Sequence, residues 1–336
     1  MSVDLKRFLG KAMLFAVPFL LYGIIITVVD PYNYFSLPSP VDDGLKTEIS
    51  FKLNYAMWKM LEYRQAPSRN ILLGDSRMMS IDRDKIREIN GDEYYNFSYG
   101  GGSLKEALAT FRYAEGLGKL ENVYIGLDLN SYNASDNKDR VSEVLAAIRN
   151  PLLYISNNNT LLAAMRLVRA KLADAKEIIG KPQGDKATFW KRQLEVTARV
   201  YYANYRDPVA YRRELAEVSD YCRAEDINLV FIIFPSHMDL QDKIAQYGLE
   251  IANAEFKDDL AGFGLVYDFA WDNEVTRDAD LFKDPYHFNR DVEDSIIRTV
   301  WGGESHFVRV FGEPTVSGIR DRRVSHNRYP SSQEGR

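Results

Sequence analysis

Two short stretches of this chain carry side chains that could together activate a serine hydroxyl group. Residues 74–76 read Gly-Asp-Ser, and residues 284–287 read Asp-Pro-Tyr-His. A serine is a poor nucleophile until a base takes its proton, and that base needs a partner that fixes its tautomer. Ser76 as the nucleophile, His287 as the base and Asp284 as the orienting carboxylate would meet both requirements. The predicted chemistry is acyl-ester cleavage or transfer through a serine-bound acyl group.

An oxyanion formed at such a serine needs hydrogen-bond donors beside it. The backbone N–H groups of Ser76 and Gly101 are candidates, the latter within the glycine run at 100–102. The side-chain amides of Asn130 and Asn133, which follow a strand, are candidates as well, and the sequence leaves open which of them donates. Losing one donor of this kind typically costs about 3 to 4 kcal/mol of transition-state stabilisation.

Three more polar residues are predicted to contact a substrate at the same edge. Arg77 follows the serine, Asp128 follows the third strand and His237 follows the fourth. The alternatives are a structural arginine, a structural aspartate and a hydrogen-bonded rim histidine. No Cys/His cluster offers a metal site, and no Gly-Lys-Ser/Thr follows the glycine run, so we predict neither a metal nor a cofactor.

These residues follow apolar runs that predict the strands of a parallel sheet. The strands are predicted within Arg69–Ser76 and at Tyr94–Phe97, Val123–Leu127, Leu229–Phe234 and Leu265–Asp268. Ser103 with Glu106 forms a capping box, which predicts a helix from Leu104. Strands alternating with helices indicate an α/β fold, in which ligands bind outside the carboxyl ends of the strands.

A helical insertion is predicted at about 135–224. One apolar face is marked at helical spacing by Leu161, Met165, Val168 and Leu172. Aromatic residues that could line a carbohydrate groove, or could simply pack between helices, are Trp190, Tyr201, Tyr202 and Tyr205.

The N-terminus carries a candidate membrane anchor. Residues 12–29 contain no charge, and as a helix they span about 27 Å, close to the hydrocarbon thickness of a bilayer. Lys6, Arg7 and Lys11 precede this run, so the N-terminus is predicted in the cytoplasm and the rest outside it. A cleaved signal peptide is the alternative, but no small-x-small site follows. We predict a single-pass membrane protein whose domain is extracytoplasmic, and periplasmic in a Gram-negative host.

The remaining organisation follows from length and composition. Residues 1–29 are predicted as cytoplasmic stub and anchor, 30–65 as stalk and leading helix, 66–311 as the α/β domain, and 312–336 as a disordered polar tail. The net charge of -5 does not favour binding to a polyanion, so nucleic acid is not a predicted partner. The single cysteine, Cys222, cannot form an internal disulfide.

Together these motifs resemble a known superfamily. ILLGDS at 71–76, the glycines at 100–102, the loop after the third strand and DPYH at 284–287 resemble blocks I, II, III and V of the SGNH (GDSL-type) hydrolases. The resemblance implies a three-layer α/β/α sandwich, here with a five-stranded parallel sheet, and Ser76, His287 and Asp284 in the roles given above.

The anchor followed by such a domain is similar to the proteins that accompany membrane-bound O-acyltransferases. These include alginate O-acetylation proteins and the D-alanyl transfer protein of teichoic acids. The likeness implies a glycan or polysaccharide substrate and a multi-span O-acyltransferase as partner.

Block III departs from the superfamily pattern. It normally reads Gly-x-Asn-Asp, with the asparagine as an oxyanion donor, whereas residues 126–129 read Gly-Leu-Asp-Leu. Either Asn130 or Asn133 replaces that donor, or Asp128 has a structural or substrate-binding role.

The expected function is acyl, above all acetyl, transfer to or removal from an envelope or secreted polysaccharide. The alternatives are a weakly active or inactive glycan-binding or scaffold protein that assists a membrane-bound O-acyltransferase, and an esterase of phospholipids or thioesters.

Overall fold

The computed structural model describes residues 3–173 and 185–316 of the chain. To residue 139 its elements are α1 (Val3–Val29), α2 (Asp43–Lys46), α3 (Tyr55–Gln65), β1 (Asn70–Leu73), α4 (Ser76–Met79), α5 (Arg83–Asn90), β2 (Tyr95–Asn96), α6 (Leu104–Glu115) and β3 (Asn122–Leu127). From 140 to 224 they are α7 (Val141–Arg149), α8 (Pro151–Ser156), α9 (Asn158–Ala173), α10 (Lys186–Arg192), α11 (Ala198–Tyr202) and α12 (Val209–Ala224).

The remaining elements are β4 (Asn228–Ile233), α13 (Met238–Gln246), α14 (Glu250–Phe263), β5 (Leu265–Asp268), α15 (Glu274–Arg277), β6 (Phe282–Asp284), β7 (His287–Phe288), α16 (Arg290–Val300) and β8 (Arg309–Phe311). Two π-helical turns, Thr47–Phe51 and Gln193–Thr197, and a 3₁₀ turn at Ala279–Leu281 accompany them.

The chain divides into two compact units. The anchor unit consists of Met1–Ala66 and Arg140–Lys181, and the sheet unit consists of Pro67–Asp139 and Pro182–Arg336. The helices of the predicted insertion at 135–224 are therefore shared between the units, because α7, α8 and α9 pack with helices that precede the sheet.

Helix α1 contains the apolar run that the sequence predicted as an anchor. Its stretch Gly10–Val29 has a mean hydropathy of 2.5 and is long and apolar enough to cross a membrane. The following residue, Asp30, ends the helix, since its buried carboxylate accepts hydrogen bonds from the N–H groups of Tyr34 and Phe35, each at 2.8 Å. Burial raises the pKa of this carboxyl.

The central sheet of the sheet unit has the strand order β2-β1-β3-β4-β5-β8. The first five strands pair in parallel, and β8 pairs antiparallel with β5. The predicted α/β class is confirmed, but the predicted strand count of five is wrong because Arg309–Phe311 adds a sixth. This strand has only three residues, the first of them charged, so it is too short to show the alternation of apolar and polar residues that predicts a strand.

The register of the sheet brings the ends of its strands to one edge. Leu73 is paired with Ile125, and Leu127 is paired with Ile233, so β1, β3 and β4 end within a few residues of each other. All four residues of β1 and five of six in β3 and β4 are buried, as expected inside a parallel sheet.

The capping box predicted for α6 is present. The Ser103 hydroxyl accepts the N–H of Glu106 at 3.2 Å, and the Glu106 carboxylate accepts the N–H of Ser103 at 3.1 Å. The helix begins at Leu104, as predicted.

The predicted disordered tail lies mostly outside the described residues, which end at 316. Within the described part, Thr315 is buried, donates to the carbonyl of Ile227 at 2.6 Å and accepts the N–H of Leu229 at 2.8 Å. The first residues of that segment therefore pack against β4.

Candidate active site

Ser76 is held at the end of β1 by a turn that only glycine permits. Gly74 has φ +151°, and a Cβ there would lie 2.9 Å from the carbonyl oxygen of Gly126. Asp75 then caps α4 by accepting the N–H of Arg77 at 2.8 Å. Ser76 is the first residue of α4, so its own N–H is among those that a helix leaves without an internal acceptor.

Asp284 and His287 are brought together by a two-residue hairpin. They are paired across the antiparallel strands β6 and β7, with Pro285 and Tyr286 forming the turn. Asp284 Oδ1 accepts the N–H groups of Tyr286 at 2.9 Å and His287 at 3.2 Å. The carbonyl of Pro285 accepts the N–H of His237 at 3.0 Å, which fixes this hairpin beside the end of β4.

A continuous chain of hydrogen bonds joins the two motifs. Ser76 Oγ lies 2.7 Å from His287 Nε2, and His287 Nδ1 lies 2.8 Å from Asp284 Oδ2. An ionised carboxylate only accepts hydrogen bonds, so the proton sits on Nδ1 and leaves Nε2 as the acceptor for the serine hydroxyl. This is the arrangement in which an imidazole can take a proton from serine.

The hydrogen-bonded chain opens onto a cavity of about 220 Å³. Asp284 is buried, whereas the His287 side chain is 36% exposed at the rim. Ser76, Gly101 and Asn130 line the same cavity, so an ester carbonyl entering it would meet the hydroxyl, a glycine turn and a carboxamide together.

Of the two candidate asparagines, only Asn130 is at the cavity. Its Nδ2 donates to Asp128 at 3.3 Å, and its side chain also hydrogen-bonds the Tyr202 hydroxyl. Asn133 is fully buried: its Nδ2 donates to the carbonyl of Tyr201, and its Oδ1 accepts the N–H groups of Ser135 and Arg206. Asn133 therefore ties backbone segments together and is not brought to Ser76.

Arg77 and Asp128 form a buried ion-pair cluster with Asp75. The Arg77 guanidinium, 3% exposed, lies 2.6 Å from a carboxylate oxygen of each aspartate. Burial alone would lower the pKa of Arg77, but Asp128 and Asp75 together raise it. Burial alone would raise the pKa of Asp75, yet the charge and hydrogen bonds of Arg77 hold it below its ordinary value.

Asp128 is engaged on both of its carboxylate oxygens. Oδ2 faces Arg77, and Oδ1 accepts the N–H of Ser131 at 2.8 Å and its hydroxyl at 3.0 Å. Arg77 and Asp128 pair with each other, which fits the structural alternative, and both line the cavity, so their contact with a substrate stays a prediction.

His237 lies behind the hairpin and is not brought to the cavity. Its Nδ1 accepts the N–H of Asp239 at 3.2 Å and so caps α13, while its ring packs on Trp190 and Phe282. Nε2 is buried with no hydrogen-bond partner among the described residues.

Several cavity residues were not singled out from the sequence. The π-helical turn Gln193–Thr197 contributes its first and last residues, and Tyr286 comes from the middle of the Asp-Pro-Tyr-His motif. Asp136 lines the cavity as well. Tyr201 also lines it, and it is the one member of the predicted aromatic set, Trp190, Tyr201, Tyr202 and Tyr205, that does. In the described part of the chain, no group of three His, Cys, Asp or Glu side chains could hold a metal.

Known proteins resemble this chain only distantly. No family model matches the chain, and no curated protein matches it. Solved structures do match, among them a chain described as a "putative platelet activating factor from Streptococcus pneumonia", at 10% identity over 76% of this chain and 94% of that chain, with a TM-score of 0.32. A likeness at this level carries no argument about function.

Proposed function

We propose that this chain is a membrane-anchored serine acyl-ester enzyme of SGNH type. The observation that carries the proposal is the hydrogen-bonded chain from Ser76 through His287 to Asp284 at the rim of an open cavity. In the proposed reaction the serine accepts an acyl group, the imidazole moves the proton and the carboxylate orients the ring.

In the first half-reaction, Ser76 Oγ attacks the carbonyl carbon of the ester while its proton passes to His287 Nε2. Asp284 stabilises the imidazolium that results. The N–H groups of Ser76 and Gly101 and the amide of Asn130 would donate to the oxyanion. When the carbonyl re-forms, the bond to the leaving alcohol breaks, and that alcohol takes the proton from His287.

In the second half-reaction, His287 takes a proton from an incoming hydroxyl, whose oxygen attacks the acyl carbon. The bond between that carbon and Ser76 Oγ then breaks, and Oγ takes the proton back from His287. If that hydroxyl belongs to water the enzyme is an esterase, and if it belongs to a sugar the enzyme is an O-acyltransferase. Transfer of an acetyl group to an envelope or secreted polysaccharide is the version we propose, because α1 would keep the enzyme beside a membrane-embedded donor.

The cation of Arg77 supports this proposal despite the aspartate at the block III position. An isolated carboxylate near Ser76 would repel an oxyanion. The Arg77 guanidinium lies 2.6 Å from Asp128 and offsets part of that charge, although it is shared with Asp75, and Asn130 supplies an amide two residues further along.

The proposed setting follows from α1. The basic residues that precede its apolar run favour a cytoplasmic N-terminus and an extracytoplasmic catalytic unit, periplasmic in a Gram-negative host. A multi-span O-acyltransferase that carries acyl groups across the membrane would then be the partner.

A matched pair of serine variants tests the nucleophile. The full chain, solubilised in detergent, is assayed with p-nitrophenyl acetate as parent, Ser76→Ala and Ser80→Ala. Ser80 lies in the same turn and is exposed, so its variant should keep the parental rate, whereas Ser76→Ala should lose at least about 10³-fold. Equal rates for Ser76→Ala and the parent would refute the assignment.

A second candidate function is binding or scaffolding without turnover, which the aspartate at the block III position favours. A fluorophosphonate probe separates the two functions, because it forms a stable adduct only with an activated serine. An adduct on Ser76 in the parent, absent from His287→Gln, supports the enzyme. No adduct in a folded parent supports the binding protein.

Acceptor use separates transfer from hydrolysis. Incubating the enzyme with an acyl donor and a free polysaccharide should yield acetylated glycan in excess of free acetate if transfer is the reaction. Free acetate alone would show that water is the acceptor.

A further inference from the structure

Helix α8 of the anchor unit is hydrogen-bonded to the apolar stretch of α1. The hydroxyl of Tyr22, on α1, donates to the backbone carbonyl of Ile155, in α8. Tyr22 precedes Val29, the last residue of the apolar stretch, by seven positions, which at 1.5 Å per residue is about 10 Å along the helix. Where α1 crosses a bilayer, α8 therefore reaches below the edge of the hydrocarbon region.

This hydrogen bond is one that a hydrocarbon environment requires. Ile155 is in the last turn of α8, where the carbonyl groups have no N–H donor within the helix. No water is present in the hydrocarbon to bond such a group, so it must be satisfied within the protein. The Tyr22 hydroxyl, itself a polar group on an apolar helix, provides the partner.

Aromatic residues fix α8 against the end of α1. Tyr34 stacks on Tyr154 at a ring separation of 4.2 Å, and the Tyr154 hydroxyl donates to Asp30 at 3.1 Å. The Tyr34 hydroxyl donates to the carbonyl of Ile148 at 3.1 Å. Tyrosines are typical of the boundary between headgroups and acyl chains, and this cluster sets the height of α7 and α8 at that boundary.

Helices α8 and α9 leave large apolar side chains uncovered within the described structure. Five of them are between 40% and 82% exposed: Leu152, Leu153, Leu162, Met165 and Leu172. The apolar face predicted for this segment is thus present, but Met165 and Leu172 point outward while the side chains buried in α9 include Ala163, Ala164 and Leu167. Exposed apolar patches of this kind mark contact with a membrane or with another protein.

The charges of this segment favour the membrane. Residues 150–165 contain no charged side chain, and between Glu143 and Asp174 every charge is positive, at Arg149, Arg166, Arg169 and Lys171. Helices that lie in the membrane surface combine an apolar face with lysine and arginine, which meet anionic headgroups. A protein partner for an apolar face does not require charges of a single sign.

We propose that α8 and α9 form a second membrane contact, lying in the headgroup–acyl boundary of the leaflet in which α1 ends. Their five exposed apolar side chains would enter the acyl region, and the basic residues would meet anionic lipid. Such helices sink about 5–10 Å, which agrees with the depth of the Tyr22 contact. The inference rests on the proposed spanning of the membrane by α1.

Fluorescence quenching by lipid tests the contact in the full chain. Single cysteines are introduced by Leu153→Cys and Met165→Cys for the contact, Leu20→Cys for the span and Lys52→Cys as an exposed control in the same unit. Burial raises the pKa of the native Cys222 thiol to about 12, so the parent should take up no label. Each variant carries bimane in vesicles of phosphatidylcholine and phosphatidylglycerol, with nitroxide quenchers placed high or low on the acyl chain.

We expect the labels at 153 and 165 to be quenched about twofold or more relative to 52, and more by the high quencher than by the low one. Quenching at 20 with none at 153 and 165 would overturn the second contact and leave the span intact. Absence of quenching at all three positions would overturn both the span and the contact.

A photocrosslinker in place of Met165 decides what covers the patch. Irradiation in host membranes should attach lipid, detected as a mass increase on the peptide that contains residue 165. A crosslink to another polypeptide, or to a second copy of this chain, would overturn the lipid contact.

Discussion

Two aspartates at the same edge of the sheet differ in the partner that each faces. Asp284 is hydrogen-bonded to His287, whose side chain is 36% exposed, and Asp128 is paired with Arg77, which is 3% exposed. An imidazole can gain and lose a proton near neutral pH, whereas a guanidinium keeps its charge. The first pair can therefore move a proton, while the second can only hold one arrangement of charge.

The partner and its exposure, rather than the residue type, therefore decide what a carboxylate at this edge does. If the comparison holds, changes at the hairpin should impair turnover and leave the fold intact. Changes at the Arg77 cluster should impair the fold first.

The largest effect is expected at the hairpin. Asp284→Asn should lower kcat/KM for p-nitrophenyl acetate by about 10⁴-fold, because the ring loses the partner that keeps the proton on Nδ1. The melting temperature should change little, since the amide oxygen can still accept the N–H groups of Tyr286 and His287. His306→Gln, at a surface histidine paired with Glu304, is the control and should keep full activity. A loss below tenfold in Asp284→Asn would contradict a role for this carboxylate in proton transfer.

Next in size is the loss of the buried cation. Arg77→Met should lower the free energy of unfolding by about 3–5 kcal/mol, because two carboxylates are left without their partner. Denaturant titration of the solubilised chain measures this, with Arg87→Met as the control, since Arg87 forms only exposed ion pairs worth about 1 kcal/mol or less. Equal costs for the two variants would show that the cluster does not stabilise the fold.

Asn130 and Asn133 separate oxyanion binding from structural bonding. Asn130→Ala should lower kcat by about 10²–10³-fold with little change in KM, because a donor to the oxyanion is lost. Asn133→Ala should instead lower the free energy of unfolding by about 1–3 kcal/mol, since it leaves buried backbone groups unpaired. Steady-state kinetics and denaturant titration of both variants check this, and the opposite pattern would exchange the two roles.

The smallest effect is a pH dependence of stability from Asp75. Its pKa is depressed in the folded protein, so it adds stability at pH values above the unfolded pKa of about 3.9. That contribution is lost as the pH falls through the folded-state pKa. The difference in unfolding free energy between the parent and Asp75→Asn should therefore be constant near neutral pH and shrink in acid. A difference that grows in acid would contradict the shift.

Local patterns were sufficient to predict the elements that carry the site. The fifth strand, Leu265–Asp268, has its predicted bounds, and α6 begins at its predicted capping box. A local hydrogen bond sets where α3 begins within the predicted stalk and leading helix at 30–65. The Asn54 side chain accepts the N–H of Met57 at 2.9 Å and starts a new helix there.

Local sequence patterns could not predict the contacts between segments that are distant in the chain. Nothing in the spacing after β3 distinguishes Asn130, which lines the cavity, from Asn133, which bonds to the backbone near Tyr201 and Arg206. The same limit applies to the π-helical turn Gln193–Thr197, because helical periodicity does not reveal which turn faces the sheet edge.

The bonding of the His287 ring has a consequence for the choice of acyl donor. Both ring nitrogens are engaged, and the backbone N–H of this residue is held by Asp284 at 3.2 Å. An imidazole fixed at these points has no freedom to swing toward an incoming ester. The ester carbonyl must therefore come to Ser76 Oγ where this bonding holds it, so we expect bulk beside that carbonyl to limit which donors react.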